Sequence, residues 1–382
     1  MLAMIQPTMR MSAKAMSLGI PPSRSASAAA IEVMKAVPQS VIGVAGMTFP
    51  PRAGVDCAGA ALGVPRRIEN KCSIVSITGS WGARMAFASY TPITCKTAMT
   101  RVQGMPFDWS LNPYRGCTAG CTYCYAREYH AKMRRDLGRG FDSQIEVKLN
   151  FAEVLRAELS GPKRSGSIAL GTATDPYQAA EGRYRLTRKS LEALVEHPMP
   201  LSIVTKSAMI VRDADLLARL AARTSVRVYF SIGSVDPDLA RRVEPLAPPP
   251  AKRLEGLRRL RQAGVSAGVL VAPILPGLSD SEESLEAVIL AAAANDACFL
   301  HPRLLKLDPH VKDYYFAFLL AEFPALLESQ RALYTRGQHA DPRYAADIDR
   351  RIERLKLRYR FGDDPRGEPE RGPEQMRLSL AS

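Results

Sequence analysis

Three cysteines fall within eight residues of this 382-residue chain, in the stretch Asn112-Pro-Tyr-Arg-Gly-Cys117-Thr-Ala-Gly-Cys121-Thr-Tyr-Cys124-Tyr-Ala-Arg127. A loop this short, spaced C-x3-C-x2-C, can curl until all three thiolates face one centre. Three thiolates suit three irons of a cubane cluster and leave the fourth iron without a protein ligand. Such an iron can bind a substrate or cofactor, whereas a cluster closed by four cysteines only passes electrons. Gly116 and Gly120 relieve crowding where the backbone folds around a metal. Structural zinc would need a fourth ligand, and His130, at C-x5-H, does not give a usual zinc spacing. Seven cysteines, three of them crowded together, do not suggest a disulfide framework either.

The spacing, with an aromatic residue (Tyr123) before the last cysteine, resembles the signature of radical S-adenosylmethionine (radical SAM) enzymes. Asn112-Pro-Tyr-Arg-Gly-Cys117 and Cys124-Tyr-Ala-Arg127 are similar to the branch that contains spore photoproduct lyase and its uncharacterised bacterial relatives. The resemblance runs from about Met99 to Arg360. It implies that Cys117, Cys121 and Cys124 hold a 4Fe-4S cluster whose open iron chelates the amino and carboxylate groups of SAM. One electron then splits SAM into methionine and a 5′-deoxyadenosyl radical. Tyr123 and Tyr125 become candidate walls beside SAM. A reducing partner such as flavodoxin or ferredoxin is implied as well.

Composition is ordinary for a globular chain, with 46% hydrophobic and 24% charged residues. No apolar run reaches the length of a membrane span. An oxygen-sensitive cluster and free thiols both point to a reducing cytoplasm. The net charge of +14 invites a nucleic-acid reading, but residues 1–100 supply +7 of it, from 10 basic and 3 acidic residues. The rest of the chain is only modestly basic, so charge alone does not establish a nucleic-acid partner.

Residues 1–85 lack any lasting helical or strand period and are rich in Ser, Ala, Pro and Gly. They are expected to form a poorly ordered extension, with the working protein beginning near Met85. Cys57 and Cys72 lie there without an assigned role. A lead-in covers 86–110. Strand-length apolar runs then alternate with helical periods: strands at Trp109–Tyr114, Ser167–Gly171, Leu201–Thr205, Val226–Ile232, Val265–Val271 and Phe299–Leu307, with helices between them, among them Tyr123–Arg135, Phe151–Leu159 and Leu186–Glu196. Six strands joined by helical crossovers predict an α/β fold. It is expected to be a partial TIM barrel, (β/α)6, of the type the resemblance implies. The domains are expected at 1–85 (extension), 86–310 (core), 311–361 (helical cover) and 362–382 (flexible tail). The cover should be two long helices, Lys312–Tyr334 and Tyr344–Arg360.

Barrel chemistry gathers where strands end and loops converge. There the sequence places Gly171-Thr-Ala-Thr-Asp175-Pro-Tyr-Gln178 with Glu181, Thr205-Lys206-Ser207 and Ser231-Ile-Gly-Ser234. SAM's ammonium needs acceptors, which Thr172, Thr174 or Asp175 can supply. Its carboxylate needs a cation or hydroxyl, for which Lys206 and Ser231 are candidates. Plainer readings stand beside these. Asp175 before a proline can simply start a turn. Lys206 can be a solvated loop lysine, and Ser231 can serve only the backbone. Arg127 and Glu128 read as surface charge at a helix start, and Arg183 with Arg185 as a solvated face. Spore photoproduct lyase employs a further cysteine as a hydrogen-atom donor near the end of its second strand. No cysteine occupies Leu170–Gln178, and Cys298 reads as a buried apolar residue.

The function expected is therefore a radical SAM enzyme acting on an unidentified substrate, without membrane association. A DNA-lesion lyase and a non-enzymatic iron-sulfur or zinc protein are the alternatives.

Overall fold

The computed structural model describes residues 88–161 and 165–361. The expected extension at 1–85, its two cysteines and the tail at 362–382 lie outside the described residues. Among those described, the main sheet has seven strands. Six run parallel in chain order: β3 (Trp109–Leu111), β6 (Ile168–Leu170), β7 (Leu201–Thr205), β8 (Val226–Ser231), β9 (Ala267–Ile274) and β10 (Leu300–Leu304). A short β2 (Met99–Arg101) adds antiparallel to β3 at one edge. Each parallel step is a helical crossover, which gives the α/β, partial-barrel arrangement of (β/α)6 type. A second sheet pairs β1 (Ser89–Ile93) in parallel with β5 (Gln144–Lys148), and β5 antiparallel with β4 (Tyr114–Arg115).

The strands form where β-branched and aromatic residues cluster, as in Val226-Arg-Val-Tyr-Phe-Ser. Their side chains alternate between two faces. Leu201, Ile203, Val226, Val228, Phe230, Ala267 and Val269 join the large apolar core beneath the helices. Among the helices on that side are Phe151–Leu159 (α3), Leu186–Glu196 (α5), Ala214–Ala221 (α6), Pro250–Gln262 (α8) and Glu282–Ala294 (α9). Clear caps start several elements. Ser281 accepts from Ser284 N–H at 3.2 Å at the head of α9, and Asp236 caps α7 (Pro237–Val243).

The sequence reading differs from the fold at four places. The stretch 109–114 is not one strand. It breaks at Asn112-Pro113, where proline has no N–H to give a ladder, and Tyr114–Arg115 joins the other sheet. The helix expected from Tyr123 starts only at Arg127 (α1, Arg127–Lys132), because residues 121–126 are turns around the cysteines. The long helix expected at Lys312–Tyr334 divides into α10 (Pro309–Glu322) and α11 (Leu327–Leu333). Pro324 forces Phe323 out of helical geometry, at φ −141° and ψ 56°. Finally, β1 and β5 went unread, although Ile145 and Val147 alternate with polar neighbours. A last helix, α12 (Pro342–Arg358), packs across α9 and β10.

Candidate active site

The cysteine loop crosses the C-terminal ends of the strands. Gly116 has φ +82°, and a Cβ there would sit 2.9 Å from the Phe141 carbonyl oxygen, so only glycine lets the loop turn this tightly. Cys117 and Cys121 are buried, Cys124 is half-buried, and all three are free thiols. Burial pushes the Cys117 thiol up to about 12, and the neighbouring Asp175 carboxylate adds to that. Burial also raises Cys121, opposed by the Lys206 ammonium, and Cys124, opposed by Arg127. Cys117 and Cys124 each act electrostatically on Cys121, so the three thiols share one neighbourhood.

Among the described residues, no three His, Cys, Asp or Glu side chains stand close enough to share a single metal ion. Zinc draws every donor in to about 2.0–2.3 Å. Three thiolates are the donor set that suits three irons of a cubane, so the residues present fit such a group by their chemistry. His130 does not complete a zinc set. Its Nδ1 lies 3.4 Å from the Asp136 carbonyl oxygen and its ring meets Phe141 edge-on.

Lys206 and Ser231 come together at the same rim, with Lys206 Nζ donating to Ser231 Oγ at 2.6 Å. Ser231 in turn donates to the Ala272 carbonyl at 2.8 Å. Glu244 lies 3.5 Å from the Lys206 ammonium and accepts from both Arg253 and the Tyr123 hydroxyl. Burial works most strongly against the Lys206 charge, but Glu244 together with Cys121 and Cys124 offsets it and its pKa is raised. Burial likewise opposes Glu244 ionising, and the two cations overcome it and hold its pKa low. The half-buried Lys206 and the buried Arg253 thus face the Glu244 carboxylate, and the Asp175 carboxylate lies on the Cys117 side. The Lys206 ammonium also lies 5.8 Å from the Tyr123 ring centre. A narrow recess of about 10 Å3 adjoins Tyr123 and Glu244, lined further by Gly233, Ser234, Pro273 and Leu275.

Other candidates are committed to the loops themselves. Asp175 Oδ1 accepts from Tyr177 N–H and Thr205 Oγ1 at 2.8 and 2.7 Å, and Oδ2 accepts from Lys206 N–H at 2.8 Å. Thr174 Oγ1 is buried against the Gly116 carbonyl at 2.7 Å and Gln178. Thr172 remains half-buried, in a polar knot with Ser110 Oγ at 2.5 Å and Asn112 Nδ2 at 3.2 Å. The Tyr125 hydroxyl donates to the Thr172 carbonyl. Below this rim, the rings of Tyr229, Phe299 and His301 gather with centroids 4.8–5.6 Å apart. Arg183 and Arg185 are exposed. Cys298, expected to be buried, is exposed at the opposite, N-terminal end of β10, because the turn before the strand lifts it clear of the core.

The sequence reading missed Glu244 and Arg253. Glu244 follows a short helix and precedes a proline run. Arg253 sits in the basic run Lys252-Arg-Leu-Glu-Gly-Leu-Arg-Arg. Neither pattern separates a buried charge from a solvated one.

The radical SAM superfamily model matches residues 111–288, spanning the cysteine loop and β5 to β9. An uncharacterised protein of Mycobacterium tuberculosis is 38% identical over 285 residues, covering 74% of this chain and 84% of that protein. The chain belongs to the radical SAM superfamily. A phage relative, the radical SAM Nα-GlyT isomerase of Pseudomonas phage M6, is 27% identical over 167 residues, covering 44% of this chain and 33% of that protein. Solved structures of spore photoproduct lyase mutants align with a TM-score of 0.56 at 16% identity, over 71% of this chain and 79% of theirs. At that identity the likeness concerns the radical SAM fold. No helix among the described residues is long and apolar enough to cross a membrane.

Proposed function

We propose that this radical SAM enzyme carries a 4Fe-4S cluster on Cys117, Cys121 and Cys124 and reductively cleaves SAM to act on an unidentified substrate. The observation that supports this most is the meeting, at one rim, of two buried thiols and the half-buried Cys124 with the Lys206–Ser231 pair. The cluster, when bound, supplies the electron that breaks a carbon–sulfur bond of SAM; the chain positions the cofactor and keeps water out. Lys206 and Ser231 receive the SAM carboxylate, by charge and by hydroxyl. Thr172 offers its hydroxyl to the ammonium, while Thr174 and Asp175 hold the loops that shape the site. Tyr123 and Tyr125 flank the cofactor.

Anaerobic reconstitution with iron and sulfide tests this. Iron and sulfide content, electron paramagnetic resonance (EPR) of the reduced protein with and without SAM, and 5′-deoxyadenosine are read from one preparation. A spectrum that shifts with SAM, together with 5′-deoxyadenosine release, is expected. Cys121→Ala should abolish both. A spectrum indifferent to SAM overturns the reading and favours a non-enzymatic iron-sulfur protein.

A second reading, a nucleic-acid substrate, is favoured by one solved neighbour, a spore photoproduct lyase mutant that holds AdoMet and dinucleoside spore photoproduct. The absence of a cysteine from 170–178 speaks against the same lesion chemistry. Illuminated DNA that fails to stimulate SAM turnover excludes this second reading.

A further inference from the structure

Arg127 opens α1 and, by its place in the sequence, should be surface charge. It is instead fully buried, at 0% exposure. Its guanidinium gives five hydrogen bonds. Nε and Nη2 donate to the Cys121 carbonyl at 3.0 and 2.9 Å. Nη1 donates to the carbonyls of Leu137 and Gly138 at 2.6 and 3.1 Å. Nη2 also donates to Asp142 Oδ1 at 2.7 Å. Aromatic rings lie over the guanidinium, with the Phe141 centroid at 4.8 Å and the Tyr314 centroid at 4.5 Å. Only a planar fork of donors can serve four oxygens while stacked this way; a lysine ammonium cannot.

Phe141 and Asp142 are neighbours on α2 (Arg139–Ser143). The Phe141 carbonyl accepts the Cys117 N–H at 3.0 Å. One two-residue step therefore grips Cys117 directly and Cys121 through Arg127. The Cys124 carbonyl, in turn, accepts the Arg127 N–H at 3.2 Å. The guanidinium thus lies against the Cys121 backbone, with the Asp142 carboxylate bonded to it. Tyr314 belongs to α10, so the same guanidinium links the cysteine loop to the C-terminal helices.

We propose that Arg127, anchored by Asp142, is a positioning residue that presets the ligand loop before the cluster arrives and then raises the cluster's reduction potential. Reduction adds one electron to the cluster from an external donor. A fixed cation nearby stabilises the added negative charge, and a nearby carboxylate does the reverse. This inference rests on the cluster reading above.

The test uses the full chain, reconstituted anaerobically, as wild type, Arg127→Lys, Arg127→Gln and Asp142→Asn. Three quantities are measured without SAM: the midpoint potential by dithionite titration followed by EPR, the rate of iron release to a ferrous chelator, and thermal unfolding of the cluster-free protein. Both Arg127 variants are expected to release iron at least tenfold faster, since each loses the fork on the Cys121 carbonyl. The potential should fall in Arg127→Gln, stay near wild type in Arg127→Lys and rise in Asp142→Asn. A purely structural role would speed release and lower the melting temperature without moving the potentials in opposite directions. Potentials that stay put, or shift the same way in Arg127→Gln and Asp142→Asn, overturn the proposal. Should Arg127→Gln fail to fold, the Arg127→Lys release rate and the Asp142→Asn potential decide it. A wild type that takes up no cluster instead sinks the function proposed above.

Discussion

On one face of β8, Val226, Val228 and Phe230 sink into the helix layer; on the other lie Arg227, Tyr229 and Ser231, of which Ser231 bonds Lys206 in the site. The first face is held by apolar burial, which is non-directional and tolerates repacking. The second is held by directed bonds among buried charges: Lys206, Glu244 and Arg253 at one end, Arg127 and Asp142 at the other. Each group there is a partner for its neighbour, so removing one strands another. The difference teaches that equal losses of stability can have unequal chemical consequences.

The sharpest way to break this comparison is a matched pair of variants. Phe230→Ala opens a cavity under the helices and should cost about 3–5 kcal/mol. Arg253→Met removes a donor from Glu244, the Ser231 carbonyl and the Pro248 carbonyl, and should also cost about 3–5 kcal/mol. Anaerobic urea unfolding measures both. SAM affinity should fall only in Arg253→Met, and an equal fall in Phe230→Ala would erase the distinction between the faces.

Lys206→Met should weaken SAM binding by about 10- to 100-fold, the scale of about 1.5–3 kcal/mol for a hydrogen bond to a charged group. Ser231→Ala should cost about fivefold, near 1 kcal/mol. Equilibrium binding to the reconstituted protein, read by EPR, checks both. If neither changes affinity, the Lys206–Ser231 pair does not serve the carboxylate.

Lys148 sharpens the comparison through pH. Burial, then the Arg115 charge, lowers its pKa to about 8 from 10.5. Between those values the unfolded chain binds the extra proton, so stability gains up to about 1.36 kcal/mol per unit as pH rises. Lys148→Met lacks this term. Its advantage over wild type should therefore shrink between pH 8 and 10.5, measured by unfolding of the cluster-free chain. The smallest effect is expected on the outside, where Arg354 and Arg358 tie α12 to Glu282 and Glu286 of α9. Arg354→Ala should cost no more than about 1 kcal/mol and leave cluster properties unchanged.

Much of the architecture was legible in the chain. Helices at Phe151–Leu159 and Leu186–Glu196 and the strand Leu201–Thr205 carry strong local periods and fall where those periods place them. The loop that carries Cys117, Cys121 and Cys124 was legible too, since adjacent residues in one short turn cannot stray far apart. The split at Asn112-Pro113 and the β1–β5 pair were harder. Both depend on which distant strand offers a free edge, and five residues of alternation are a weak signal by themselves.

What the sequence determined by itself is the radical SAM signature, the order of six parallel strands and the polar residues at their ends, because spacing and period are local properties. Only the tertiary structure decided which charges are buried. Arg127, Glu244 and Arg253 look no different in sequence from the solvated arginines and glutamates around them. Their roles come from elements far apart in the chain that close over them and supply partners, and a one-dimensional pattern does not record that desolvation.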